Sequence, residues 1–239
     1  MIRLVVSLCF LTVLISCGLE SYDRQELPSV TSYLEQQDFS SLVLVHDPDR
    51  FKGTNFQGYE VFYKIYPDLS SDLSNLTHDS GLSSAHPTKD YLLSIGYQRL
   101  NGKSSVSSQL PLIVIEAVGT NQTTVTLDFS AFLQNQKIPG SIIEPFIKVT
   151  SPLKSELLPI YRTTSKAGEV STFSSFSTLG TTLSSGLLAG DMDNTVTIST
   201  SNVEIDVFIV SYSFSSTTLA DSFSAPVAWG IIRPVVTQL

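Results

Sequence analysis

Residues 203–214 read VEIDVFIVSYSF, and no other run narrows the choice of fold as much. Val203, Ile205, Val207 and Ile209 alternate with Glu204, Asp206, Phe208 and Val210. A period of two puts the two sets on opposite faces of an extended strand, and β-branched side chains suit a pleated surface. Glu204 and Asp206 share one face, which reads as the wet side of a half-buried strand. Residues 58–66, GYEVFYKIY, repeat the pattern with aromatics. Tyr59, Val61, Tyr63 and Ile65 take one face; Glu60, Phe62, Lys64 and Tyr66 take the other.

Shorter runs continue in the same manner. Residues 41–46 form an apolar strand closed by Asp47-Pro48-Asp49, and Pro67-Asp68 stops the aromatic one. Residues 91–99 read as a further strand before an Asn101-Gly102 turn. Residues 112–118 and 123–129 flank GTNQ and read as a hairpin. Residues 142–149, 156–162, 169–173 and 195–199 are short strand candidates, and 226–236 closes the chain with Pro234 at a strand end. Residues 176–190 lack a period and read as a loop. Composition agrees: 15% of the 239 residues are charged, and serine with threonine makes up roughly a quarter of the chain, which is poor helical material. No fixed-period repeat is present, so propellers and solenoids are excluded. An all-β sandwich is expected, with a closed barrel as its rival. The formal charge of −8 argues against nucleic acid, which needs a basic stripe.

The amino terminus is a different object. One arginine, Arg3, precedes an apolar run of about a dozen residues that ends at Leu14-Ile15-Ser16-Cys17. The run is too short to span a bilayer, which takes about 20 residues, and reads as a signal peptide over 1–16. Its last four residues resemble the lipobox of bacterial lipoproteins. That resemblance implies cleavage between Ser16 and Cys17 and a lipidated Cys17 carrying several acyl chains. Two or more chains anchor stably where one binds marginally. Gly18 and Leu19 do not match the aspartate that resembles an inner-membrane retention signal, so the outer membrane is favoured. With Cys9 removed and Cys17 acylated, the mature domain has no thiol, and hence no disulfide or cysteine-ligated zinc. Residues 17–38 read as a tether, and 39–239 as one β domain.

Residues 56–64 (FQGYEVFYK) resemble the central strand of fibronectin type III modules. VEIDVFIVSYSF followed by SAPVAWGII resembles the last two strands of such a sandwich. LISCGLESY, FQGYEVFYKIY and SAPVAWGII together are similar to a group of spirochaete lipoproteins. The resemblance implies an enlarged immunoglobulin or fibronectin type III-like antiparallel sandwich with long insertions, since more than about 100 residues separate the two matches.

No segment matches a motif that carries chemistry in both residues and spacing. His78 and His86 have only Asp72, Asp79 and Asp90 nearby in sequence and read as solvated loop residues. His46 with Asp47 and Asp49 reads as part of a turn. Asp191-Met192-Asp193-Asn194 opens like a calcium loop, but Val196 and Asn202 occupy the positions that need glycine and glutamate. Residues 180–186 (GTTLSSG) have the residues of a serine elbow without its spacing. Glu116, Asp128, Glu204 and Asp206 show no pairing signal. The Asn75 and Asn121 sequons read as turn residues beside a lipobox. No catalytic residue, metal ligand or cofactor is therefore expected.

The expected function is a membrane-anchored lipoprotein of the bacterial envelope, held by its lipid and acting as a non-catalytic protein-binding or adhesion module. Phe173, Phe176, Leu187 and Leu188 are its candidate hot spot, with membership of the core as the other reading. A structural or envelope-assembly lipoprotein with a permanent membrane partner is the alternative, and a hydrolase is the third reading.

Overall fold

The computed structural model describes residues 26, 28, 40–67, 88–102, 111–115, 122–130, 145–152, 154–164, 172–175 and 203–233. Ser16, Cys17, the tether apart from Glu26 and Pro28, His78, His86, Asp72, Asp79, Glu116, the 176–190 segment and the Asp191–Asn194 motif lie outside these residues.

The fold is an all-β sandwich of two antiparallel sheets. One sheet runs β1 (Ser41–His46), β5 (Thr123–Asp128), β6 (Phe146–Thr150), β7 (Ser155–Pro159) in spatial order. The other is built on β2 (Phe56–Pro67) and β10 (Val203–Ser215), the two long strands that the alternation predicted. They pair from Val203↔Pro67 to Ser213↔Phe56. On its far side β10 takes β12 (Val227–Ile232) and then β11 (Ala220–Phe223). On its far side β2 takes β3 (Gln98–Arg99) and β4 (Ile113–Val114). A separate two-stranded ribbon joins β8 (Tyr161–Thr164) to β9 (Thr172–Ser175).

The inward faces follow the predicted alternation. Tyr59, Val61, Tyr63 and Ile65 of β2 and Ile205, Val207 and Ile209 of β10 meet Leu42, Leu44, Val125, Leu127 and Ile147 of the opposite sheet. Trp229 joins them because β12 carries a bulge. Val207 pairs with Gly230 and Phe208 with Ala228, so Trp229 is the extra residue, and its indole is turned into the core.

Four expectations need correction. Residues 91–99 are not one strand: Lys89–Ser94 is a short helix, α1, capped by the Thr88 hydroxyl, which accepts from the Tyr91 amide at 3.3 Å. The amides of Gly96 and Tyr97 turn back to the carbonyls of Leu93 and Leu92 and close its other end. Thr88 marks the start of this helix in the sequence and Gly96 its end.

The hairpin over 112–129 is also absent. Its two arms belong to different sheets, because Ile113 and Val114 pair with Tyr59 and Gly58 while Thr123–Asp128 lies between β1 and β6. That close approach depends on Gly58, whose φ is +156°. A Cβ there would lie 1.9 Å from the Ile113 carbonyl oxygen.

The expected strand over 156–162 breaks at Pro159. Ile160 is buried in the core, and Tyr161 pairs instead with Asn101 and β9. Finally, the face of β10 that carries Glu204 and Asp206 is not wet: both residues are fully buried. Helix α1 and Tyr97 cover that outer face, packing Leu92 and Tyr97 on Phe62, Phe208 and Val210. The central sheet is thus buried on both sides.

Candidate functional site

Burying both faces of β2 and β10 takes Glu60, Glu204 and Asp206 out of water, a large cost for a carboxylate without partners. Each glutamate is met by an arginine from a neighbouring segment. The Arg99 guanidinium, on β3, grips Glu60 through Nε and through Nη2, the latter at 3.0 Å. The Leu112 amide donates to Glu60 Oε1 at 2.8 Å. Burial pushes the Glu60 carboxyl above its ordinary value, against the pull of Arg99 and that amide. Arg233 Nε donates to Glu204 Oε1 at 2.7 Å. Asp206 stands opposite Lys64 in the β10–β2 register, and the Lys64 ammonium donates to the Ile95 carbonyl at 2.7 Å, beside the rings of Tyr66 and Tyr97. The charged groups of the outer face therefore tie β3, β4, α1 and the end of β12 onto the central sheet. Residues 204 and 206 were legible as a pair sharing a strand face. Their burial was signalled by Phe208 and Val210 on that same face, a signal the wet-face reading passed over.

His46 stands at the end of β1, as the strand reading over 41–46 expects, and its side chain belongs to the inward set, 4% exposed. Its ring stacks on Phe51 and Phe56, with centroids 5.1 and 5.2 Å away, and its Nδ1 lies 2.7 Å from the Tyr59 hydroxyl. The adjacent 3₁₀ turn, Pro48–Phe51, is capped by Asp47 as the turn reading expected. Burial lowers His46 from 6.5 to about 4, with Asp47 opposing.

A cleft of about 220 Å³ opens where the β3–β4 side of one sheet approaches the β6–β7 edge of the other. Leu112, Val114, Val149 and Leu158 supply apolar walls; Arg99 and Glu156 supply charge. The Arg99 charge is already matched by Glu60, and the exposed Glu156 pairs with Lys154 at 2.8 Å. Val114 and Leu157 are 59% exposed at this edge. Among the described residues β7 pairs with β6 alone, so its other edge presents backbone hydrogen-bonding groups.

Of the carboxylates considered from sequence, Asp90 is exposed in the first turn of α1, and Asp128 accepts from the Ser130 amide at 2.7 Å. Among the described residues, no three His, Cys, Asp or Glu side chains gather where a metal could be held. Phe173 lies on β9.

No family model, curated protein or solved structure matches the chain.

Proposed function

We propose that the chain is a bacterial envelope lipoprotein, anchored through acylated Cys17, whose fibronectin type III-like sandwich is a non-catalytic protein-binding module. The observation that carries the binding role is the cleft beside the β7 edge, with Val114 exposed on its apolar wall and Leu157 exposed on the face of β7 opposite the cleft-lining Glu156 and Leu158. Edge strands bind partners by backbone hydrogen bonding, with side-chain pockets adding selectivity. The buried ionisable groups support the same reading, because Glu60, Glu204 and His46 are engaged by Arg99, Arg233 and Tyr59. The lipobox resemblance and the tether after it support the anchored location, with the outer membrane favoured over the inner.

Two experiments test this reading. Mass spectrometry of the mature protein is expected to find an amino-terminal Cys17 carrying at least two acyl chains; an unmodified Cys17 refutes the anchor. A tagged chain from Leu19 onward is expected to capture an envelope or host protein. Capture should fall at least tenfold in the Val114→Asp, Leu157→Asp double variant, with little change in melting temperature because both sites are exposed. Undiminished capture moves the binding surface elsewhere.

A further inference from the structure

The aromatic cluster at the end of β1 does more than fill a corner. His46 is the side chain that joins three elements there. It belongs to β1, stacks on Phe51 of the 3₁₀ turn and on Phe56 of β2, and meets the Tyr59 hydroxyl of β2. Phe51 and Phe56 also pack on each other, tilted, with centroids 4.2 Å apart. The chain between them, residues 52–55, is held to the cluster from its ends: the Thr54 amide and hydroxyl both donate to the Phe51 carbonyl. Lys52, Gly53 and Asn55 are exposed. The turn is fastened through the rings that touch His46 and, at its far end, through the Asn55 carbonyl, which accepts from the Phe214 amide of β10 at 3.3 Å.

We propose that His46 is an acid-sensitive latch, holding residues 47–55 against the end of the sandwich near neutrality and releasing them as the medium becomes acidic.

The charged and titratable surroundings decide the direction. Asp47, next in the chain, favours the imidazolium. From β2 the ring meets Phe56, which carries no charge, and Tyr59, whose phenol burial raises so that it stays neutral. Arg50 on the 3₁₀ turn acts on Tyr59 from the same side. Asp49 and Lys52 are exposed to solvent. From β5 the residue in register with His46 is Thr123, which carries no charge. Desolvation among three aromatic rings outweighs Asp47, so the closed cluster disfavours the charged ring. An opened turn returns His46 to water, where it titrates at its ordinary value. Because the closed form binds its proton only near pH 4, the open form gains relative weight throughout the interval from 6.5 down to about 4. Between pH 8 and pH 5 the ratio of open to closed turn should rise about thirtyfold.

Hydrogen exchange on the full chain, corrected for the intrinsic pH dependence of amide exchange, reads this ratio directly. The Arg50 and Thr54 amides, bonded within the turn, are expected to lose about thirtyfold in protection between pH 8 and pH 5. The Leu100 amide, bonded to the Val61 carbonyl in the central sheet, should lose far less. In His46→Phe the turn amides are expected to show no such loss. Flat protection in the wild-type turn overturns the latch, as does an equal loss at Leu100, which would mean global unfolding. A thirtyfold loss that persists in His46→Phe assigns the effect to another group. Should that variant fail to fold, the His46 ring resonances of the wild-type chain decide. Titration of the ring near 6.5 while the turn amides stay protected also refutes the proposal.

Discussion

Gly58→Ala is expected to lower stability by about 3 kcal/mol or more. The added carbon would lie 1.9 Å from the Ile113 carbonyl oxygen and 2.8 Å from Pro111 Cγ. The first of these is backbone in a paired strand and has no rotamer to change. Relief requires β4 to leave β2, which breaks the Gly58↔Val114 and Tyr59↔Ile113 pairs and withdraws Ile113 from the core. The backbone angle adds strain of its own, since φ of +156° is disfavoured for alanine. Urea unfolding of the two chains measures the difference. Gly53→Ala serves as the control: φ there is +80°, but nothing lies within 4 Å of the added carbon. It should cost only about 1 kcal/mol. Equal losses at the two positions would contradict the packing account.

Arg99→Ala is expected to cost about 3–5 kcal/mol at neutral pH, because it strands a buried carboxylate rather than merely removing a contact. Glu60 is fully buried, and the Leu112 amide alone does not replace a two-point guanidinium. The pH dependence distinguishes this cause from lost packing. Burial already raises the Glu60 carboxyl while Arg99 lowers it, so removing Arg99 raises it further. A carboxyl raised in the folded state holds its proton to higher pH than in the unfolded chain. Stability from that source is present at low pH and is lost as pH rises through the folded value. The variant should therefore be closer to wild type at pH 5 than at pH 8. Adding Glu60→Gln to Arg99→Ala should recover part of the loss at pH 8 and flatten the pH dependence. A loss independent of pH, unchanged by Glu60→Gln, would mean that Arg99 acts through its aliphatic stem.

The parts of the fold legible in the sequence were those where one face of a strand is uniformly apolar. The inward sets of β2 and β10 follow directly from alternation, and their strand ends lie within two residues of the expected ones. The pairing expected between VEIDVFIVSYSF and the later SAPVAWGII run is present as β10 with β12. Partnership was not legible. Residues 112–118 and 123–129 looked like neighbours because only the chain between them is visible in a sequence, whereas Gly58 draws the first of them into the other sheet. The buried carboxylates were misread for a related reason. A Glu-x-Asp on an alternating strand is ordinary on a wet face, and its burial depends on α1 and Tyr97, distant in the chain. The same holds for His46, whose environment comes from Phe51, Phe56 and Tyr59 together.

The β2–β10 ladder has a kinetic consequence. Phe62 and Phe208, directly opposed, are 146 residues apart in the chain. Closing so long a loop costs entropy before any ladder contact offsets it, and folds dominated by such pairings form in milliseconds to seconds, where helical bundles take microseconds. A chain emerging amino terminus first exposes the aromatic strand FQGYEVFYKIYP long before its partner exists. During that interval it is an edge with an apolar face, the kind of segment that seeks other chains. Refolding from urea should accordingly be slow, with a yield that falls as protein concentration rises. In a cell, this strand would be the one that needs shelter until residue 215 has followed it.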